Sequence, residues 1–265
     1  MHRFRARIGS AVIAATLIGL TGAPGAAAVS GGTADASDAF PYVGRLEISV
    51  EGGWAGFCSG TLIEPDVVLT AAHCAWTLAM GVVPAEEIRV NFNSLASGVT
   101  PDTEPLAYAS AGAALPSGFG EPSPFAGIHV LAEPWNDIAL VWLATPVADI
   151  TPAPTAGLGY LDDPEVRDDT FTVVGYGLGG FDGAVPIFPQ GRSFRAVTLL
   201  GQAAFPDRYV MISAATCFGD SGGPLLHDGR VVGITVWVND ESCRAPGMDF
   251  RVDSAIAQEF LAANV

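Results

Sequence analysis

The sequence predicts an all-β fold, either a barrel or a sandwich, and three observations support this. Short segments rich in Val, Ile, Leu and Thr recur along the chain, bounded by Gly, Pro, Asn or Asp. The 265 residues include 32 Gly and 19 Pro, which indicates many turns and few long helices. Hydrophobic residues make up 49% and charged residues 15%, which is enough apolar surface to bury a large core.

The first 28 residues have the features of a secretory signal peptide and not of the folded domain. Arg3, Arg5 and Arg7 form a positive segment, residues 8–20 are apolar, and residues 26–28 are three alanines of the kind cleaved by signal peptidase. The apolar run is shorter than the roughly 20 residues needed to span a bilayer. We therefore expect a secreted, extracellular protein that has no membrane association after cleavage.

Ten strand-like segments follow this leader. In chain order they are YVGRLEISV, CSGTLI, VVLTAAH, IRVNF, IALVWL, TFTVVGYG, FRAVTLLG, YVMISA, GPLLH and RVVGITVWV. The last two are separated by Asp228-Gly229, a pair that favours a tight hairpin turn.

The remaining segments predict one helix and two connections. Ile256, Phe260 and Leu261 recur at helical spacing after the capping residues Asp253 and Ser254, so we expect a C-terminal helix. Residues 144–157 contain three prolines and are the best linker between two strand-rich halves. Residues 94–127 show no periodicity and predict a long loop.

The charge of the chain excludes several classes of partner. Loss of the leader removes three of the 12 Arg, so the net charge changes from −16 to −19, and the sequence contains no Lys. Nucleic acids and anionic membranes are bound through clustered Lys and Arg, so we expect neither as a partner.

Four cysteines, Cys58, Cys74, Cys217 and Cys243, can form two disulfides in an exported protein, with three connectivities open from sequence alone. A zinc site is the competing interpretation. Only His73 lies beside a cysteine and the chain has no CxxC pair, so we expect no metal and no cofactor.

The stretch CFGDSGGPLL, residues 217–226, places Ser221 among three glycines directly before a strand. A serine nucleophile needs a base and a group that orients the base. His73, at the end of the apolar segment VVLTAAHC, is the best base, because His227 is most simply a solvated turn residue. Asp137, at the entrance of the apolar segment IALVWL, is the best orienting group.

The motifs TAAHC, NDIAL and GDSGGP, in this order, resemble those of the trypsin and chymotrypsin family of serine proteases. This resemblance implies two six-stranded antiparallel β-barrels, at about residues 29–143 and 158–265, with a C-terminal helix. It also implies a secreted serine endopeptidase in which His73, Asp137 and Ser221 form a catalytic triad and an acyl-enzyme is the intermediate.

The resemblance assigns further roles. The backbone N–H groups of Gly219 and Ser221 would form the oxyanion hole. Cys58 would pair with Cys74, and Cys217 with Cys243. A free amino group on Val29 would activate the enzyme by pairing with Asp220.

A substrate pocket is implied as well, and its residues would be Ala215, Thr216, Val236, Trp237, Val238 and Gly247. Ala215 would lie at the base, where it offers no carboxylate for a basic side chain, and Val238 would narrow one wall. From these positions we expect cleavage after small or medium apolar residues. Val236 departs from the family, which usually has Ser there to support the aspartate.

Other functions remain open. The GxSxG pattern also occurs in α/β-hydrolases, but those enzymes carry the histidine after the serine and need alternating helices. A catalytically inactive secreted homologue that acts as a binding protein is one alternative, and an exported esterase with the same triad is another. We expect a monomer that acts on protein or peptide substrates.

Overall fold

The computed structural model describes residues 28–94, 106–119, 136–187, 191–202, 206–238 and 240–265, and it has two closed six-stranded antiparallel barrels. This confirms the expected fold class. The greater part of the expected signal peptide and of the expected loop 94–127 lies outside the described residues. None of the helices in the described ranges has both the length and the apolar character that a membrane span requires.

The strands are β1 (Thr33–Ala34), β2 (Val43–Val50), β3 (Gly53–Glu64), β4 (Val67–Thr70), β5 (Ile88–Asn91), β6 (Ala107–Ala114), β7 (Ala139–Leu143), β8 (Thr170–Gly175), β9 (Phe181–Asp182), β10 (Val185–Pro186), β11 (Ser193–Gln202), β12 (Tyr209–Ile212), β13 (Pro224–His227), β14 (Arg230–Val238) and β15 (Gly247–Arg251). The α-helices are α1 (Ala72–Ala79), α2 (Pro164–Arg167) and α3 (Ala255–Asn264).

The N-terminal barrel closes in the order β2-β3-β4-β7-β6-β5, because β5 pairs back with β2. Every second side chain along its strands points inward, and the apolar ones form a common core. This core includes the buried residues Leu46, Val68, Leu140 and Phe92. The C-terminal barrel runs β8-β11-β12-β15-β14-β13 and closes where β13 pairs with β8.

The segment that precedes the N-terminal barrel belongs structurally to the other barrel. Strand β1 pairs with β11, with Thr33 opposite Phe194. Val29, four residues earlier, is fully buried in the core of the C-terminal barrel together with Phe171, Ile212 and Ala215. This core therefore depends on residues that precede the N-terminal barrel in the chain.

The expectation of a long irregular loop over 94–127 is wrong in its middle. Residues 107–114, AYASAGAA, form β6, which pairs with both β5 and β7. Small residues give almost no apolar alternation, so the strand could not be recognised from its own sequence. Its strand conformation is set by pairing with the two neighbouring strands.

The C-terminal helix is confirmed as α3, with the Ser254 hydroxyl accepting a hydrogen bond from the Ala257 N–H at 3.2 Å. Two helices were not expected. Helix α1 follows β4 directly and includes His73, and the four-residue α2 is capped by Asp163.

Arg192, just before β11, is a fully buried cation that joins three parts of the fold. Its Nε donates to Asp35 Oδ2 at 2.8 Å, its Nη1 donates to the Val43 carbonyl at 3.0 Å, and its Nη2 contacts Asp38. Asp35 in turn accepts N–H bonds from Ala39 and Phe40. The guanidinium thus ties the N-terminal segment to both barrels.

We expect Arg192→Met to lower the free energy of unfolding by about 3–5 kcal/mol, because it leaves the buried Asp35 carboxylate without its cation. Urea unfolding monitored by tryptophan fluorescence measures this. Arg230→Met, at an exposed position of β14, is the matched control and should stay within about 0.5 kcal/mol of the wild type. Equal stability of the two variants would contradict the role assigned to Arg192.

Candidate active site

His73 and Asp137 meet because two paired strands bring them to the same edge of the N-terminal barrel. Thr70, the last residue of β4, lies opposite Ala139, the first residue of β7. His73 follows β4 in the first turn of α1, and Asp137 precedes β7. Asp137 Oδ2 lies 2.7 Å from His73 Nδ1, and Asp137 Oδ1 accepts a hydrogen bond from the His73 N–H at 2.9 Å.

These contacts fix the tautomer of the imidazole ring. The Asp137 side chain is 1% exposed and that of His73 is 33% exposed. An ionised carboxylate only accepts hydrogen bonds, so Nδ1 must carry the proton and Nε2 keeps its lone pair in the neutral ring. His73 is thereby set up as a base.

Ser221 lies in the loop between β12 and β13, and it lines the same cavity as His73. The Ser221 carbonyl accepts a hydrogen bond from the Ser59 N–H of the other barrel at 2.8 Å. Gly222 has φ +79°, and a Cβ there would lie 2.1 Å from Thr70 Oγ1, so only glycine fits after the serine. The structure therefore brings His73, Asp137 and Ser221 together.

Gly219 has φ +96°, and a Cβ there would lie 3.0 Å from Gly177 Cα, so this position also requires glycine. The neighbouring backbone is fixed by the Asp220 N–H, which donates to Cys217 O at 3.0 Å, and by the Gly223 N–H, which donates to Asp220 O at 2.8 Å. No described residue accepts from the Gly219 or Ser221 N–H groups. These two donors are available to a substrate.

Asp220 is buried next to the nucleophile. Its two carboxylate oxygens accept hydrogen bonds from the N–H groups of Gly177 and Cys217, each at 2.8 Å. Burial raises the pKa of Asp220 to about 7, although the two backbone hydrogen bonds oppose this shift.

The structure contains the two disulfides that the resemblance implied, Cys58–Cys74 and Cys217–Cys243. The first joins β3 to α1 beside His73, and the second lies beside the serine loop. Cys58, His73 and Cys74 are close enough together to resemble a metal site. Their sulfur atoms are joined to each other, however, and so they are not thiolate ligands.

The cavity in front of Ser221 has a volume of about 500 Å³. The expected residues Val236, Trp237 and Val238 line it. Ala215, Thr216 and Gly247 are buried and are not among its lining residues.

The sequence reasoning missed four residues that line the cavity with Cys217: Phe218, Thr235, Asp240 and Glu241. Thr235 could have been predicted to line the cavity. It lies two residues before Trp237 in the same strand, and residues at this spacing project from the same face of the sheet. The acidic pair lies beyond the end of β14, where no strand periodicity applies.

The expectation that His227 is a solvated turn residue is wrong. It is the last residue of β13 and is 6% exposed. Its Nδ1 lies 2.8 Å from Tyr160 Oη, its Nε2 lies 3.2 Å from Asp169, and its ring packs 4.8 Å from that of Phe171. These partners give it a structural role in the C-terminal barrel.

Comparison with known proteins agrees with this geometry. The family model described as Trypsin matches residues 29–258, which is most of the chain. The chain belongs to the trypsin family.

Relatives of this trypsin-family protein include "Trypsin, alkaline C" of Manduca sexta, 30% identical over 84% of this chain and 86% of the relative. The "Vitellin-degrading protease" of Bombyx mori is 29% identical over 72% and 70%, and "Trypsin" of Saccharopolyspora erythraea is 28% identical over 72% and 78%. Among solved structures, human heparin binding protein aligns with a TM-score of 0.66 and 20% identity, over 89% of this chain and 96% of that one. This likeness concerns the fold.

The raised pKa of Asp220 predicts a pH-dependent stability in a chain that keeps Ala28 attached. The folded carboxyl binds its proton more tightly than the unfolded one, whose pKa is near 3.8. The folded state is therefore destabilised progressively as the pH rises from about 4 to about 7. We expect a loss of roughly 4 kcal/mol over this window, at 1.36 kcal/mol per pKa unit.

Urea unfolding from pH 4 to pH 8, in a Ser221→Ala background that prevents self-cleavage, measures this effect. Adding Asp220→Asn should remove this part of the pH dependence, whereas Asp182→Asn, at an exposed carboxylate, should not. The assignment fails if the Asp220→Asn curve runs parallel to the wild-type curve.

Proposed function

We propose that this protein is a secreted serine endopeptidase that hydrolyses peptide bonds with His73, Asp137 and Ser221. The observation that supports this best is the 2.7 Å contact between Asp137 Oδ2 and His73 Nδ1 on the wall of a cavity that Ser221 also lines. A base fixed in one tautomer beside a serine hydroxyl is the arrangement that nucleophilic acyl transfer requires.

In the proposed mechanism, His73 Nε2 removes the proton of the Ser221 hydroxyl while Ser221 Oγ attacks the substrate carbonyl carbon. The negative charge that develops on the carbonyl oxygen is stabilised by the N–H groups of Gly219 and Ser221. The tetrahedral intermediate collapses to an acyl-enzyme as His73 protonates the leaving amine. Water, activated by the same base, then releases the acyl group and restores Ser221.

Val236 offers no hydroxyl to support Asp137, and the contacts of Asp137 compensate for this. The His73 backbone N–H donates to Asp137 Oδ1, so the two residues are held together by two separate bonds. The aspartate is also nearly fully buried, which excludes competing water. These contacts support a functional triad despite the substitution.

The binding-protein alternative is less well supported. A binding protein needs neither a tautomer-fixing carboxylate nor a serine loop in which Gly219 and Gly222 have no room for a side chain. The structural likeness to a heparin binding protein does not extend to its ligand, because a chain of net charge −16 without Lys repels polyanions. An esterase would use the same machinery, and activity on a folded protein separates the two.

The expected preference for small or medium apolar side chains has partial support. Val236 and Val238 line the cavity, and their apolar surfaces favour apolar contact. Ala215, on which the argument depended, lies in the barrel core with Val29 and Ile212. The expected preference was also derived without Asp240 and Glu241, two acidic residues that line the cavity.

We expect Ser221→Ala, His73→Ala and Asp137→Asn each to lower kcat/KM for peptide hydrolysis by at least ~10³-fold, with combined variants little worse than single ones. Fluorophosphonate labelling should modify the wild type at Ser221 and leave Ser221→Ala unmodified. Asp182→Asn, at an exposed carboxylate, is the control and should keep the activity of the wild type. Any triad variant that retains activity would contradict the assignment.

Activation is the second part of this proposal. Val29 is fully buried in the C-terminal barrel, and the match to the family model begins at this residue. It directly follows the three alanines of the expected cleavage site. We infer that cleavage after Ala28 creates an ammonium group that pairs with the buried Asp220 carboxylate, so that export itself activates the enzyme.

N-terminal sequencing of the secreted protein should begin at Val29. A purified form that begins three residues earlier should be at least ~10-fold less active, because its Val29 nitrogen is an uncharged amide and Asp220 lacks a cation. Full activity of the extended form would refute this activation mechanism.

A further inference from the structure

The side-chain hydroxyl of Ser59 is a buried polar group that joins β3 to the loop that contains Ser221. Ser59 is 0% exposed. Its Oγ donates to the Gly219 carbonyl at 2.9 Å and accepts from the Tyr176 N–H at 3.0 Å. A carbonyl only accepts and an N–H only donates, so the single hydroxyl proton must point to Gly219. The direction of both hydrogen bonds is therefore fixed.

Gly219 lies between two peptide groups, and each of them is held by a hydrogen bond. The group before it contains the Gly219 N–H, one of the two proposed oxyanion donors, and the Phe218 carbonyl, which accepts from the Leu178 N–H at 2.8 Å. The group after it contains the Gly219 carbonyl, which accepts from the Ser59 hydroxyl. The relative orientation of the two groups sets the direction of the donor.

Gly219 depends on such restraints because it has no side chain. The backbone of a glycine rotates more freely than that of any other residue. With both neighbouring peptide groups held, the Gly219 N–H keeps one direction. Without the bond from Ser59, the two groups can turn relative to each other, and the N–H then points at a bound carbonyl oxygen for a smaller part of the time.

The segment directly after β8 supports the same arrangement with three successive N–H groups. These belong to residues 176–178, and their acceptors are the Ser59 hydroxyl, Asp220 Oδ1 and the Phe218 carbonyl. Two of these acceptors lie in the loop that contains Ser221, and the third is the hydroxyl that comes from the N-terminal barrel. Ser59 therefore connects both segments that surround the Gly219 N–H.

We propose that Ser59 is a positioning residue of the oxyanion hole, whose hydroxyl holds the Gly219 backbone so that its N–H points at the carbonyl oxygen of the scissile bond. This rests on the proposed peptidase function. The hydroxyl acts on the reaction through Gly219. Its role is separate from the bond between the Ser59 N–H and the Ser221 carbonyl, which any residue other than proline can make at this position.

The proposal predicts a specific change in the kinetics. Negative charge on the carbonyl oxygen develops in the transition state, so a donor that is poorly directed weakens binding of the transition state more than binding of the substrate. Loss of a whole donor lowers kcat by about 10²–10³-fold. In Ser59→Ala the donor remains and is only less well directed, so we expect a smaller fall in kcat, on the order of tenfold.

The test compares Ser59→Ala with Ser110→Ala in the mature enzyme. Ser110 lies in β6 of the same barrel and is also buried, and its hydroxyl donates to the Ala85 carbonyl at 2.7 Å. Both variants lose one buried hydroxyl that donates to a backbone carbonyl, so urea unfolding should show similar losses of stability. On one peptide substrate, Ser59→Ala should keep KM within about twofold while kcat falls, and Ser110→Ala should keep both values.

A peptidyl trifluoromethyl ketone gives a direct readout of the oxyanion hole. Ser221 Oγ adds to the ketone carbon, the hydroxyl proton passes to His73 Nε2, and the ketone oxygen becomes an oxyanion beside the Gly219 N–H. NMR of the isotope-labelled ketone carbon follows the protonation of this oxygen. The pKa of the adduct should be higher in Ser59→Ala than in the wild type, because weaker hydrogen bonds favour the neutral form. It should be unchanged in Ser110→Ala.

Ser59→Gly lacks the same hydroxyl and takes the place of Ser59→Ala if that variant does not fold. A folded Ser59 variant with the kcat and the adduct pKa of the wild type would overturn the role of Ser59 and leave the peptidase function intact. Equal changes in the Ser59 and Ser110 variants would do the same. A wild type that neither hydrolyses peptides nor forms the ketone adduct would overturn the peptidase function itself.

Discussion

The candidate active site depends on Ser59, because this residue joins the serine loop of one barrel to a strand of the other. The Ser59 N–H donates to the Ser221 carbonyl at 2.8 Å, and its hydroxyl donates to the Gly219 carbonyl at 2.9 Å. The same hydroxyl accepts from the Tyr176 N–H at 3.0 Å. His73 belongs to the N-terminal barrel and Ser221 to the C-terminal barrel, so their distance is set by how the barrels dock. Three hydrogen bonds at one fully buried residue keep this docking fixed.

Burial raises the pKa values of two carboxyl groups of the C-terminal barrel, Asp220 and Asp249, to about 7. Each is destabilising when it is ionised and has no cation nearby. For Asp220 the proposed cation is the amino group of Val29, so the instability of this acid would be relieved at activation.

The residues of the proposed triad could be named from the sequence because each lies in a short motif whose residues are constrained by one another. Gly222 is a direct example, since its missing side chain makes room for Thr70. Strand β6 and the position of Asp249 were not predictable in this way. The first has no apolar alternation, and the burial of the second opposite Thr235 follows from the strand register. The local sequence of a strand does not determine which distant strand it pairs with or in what register.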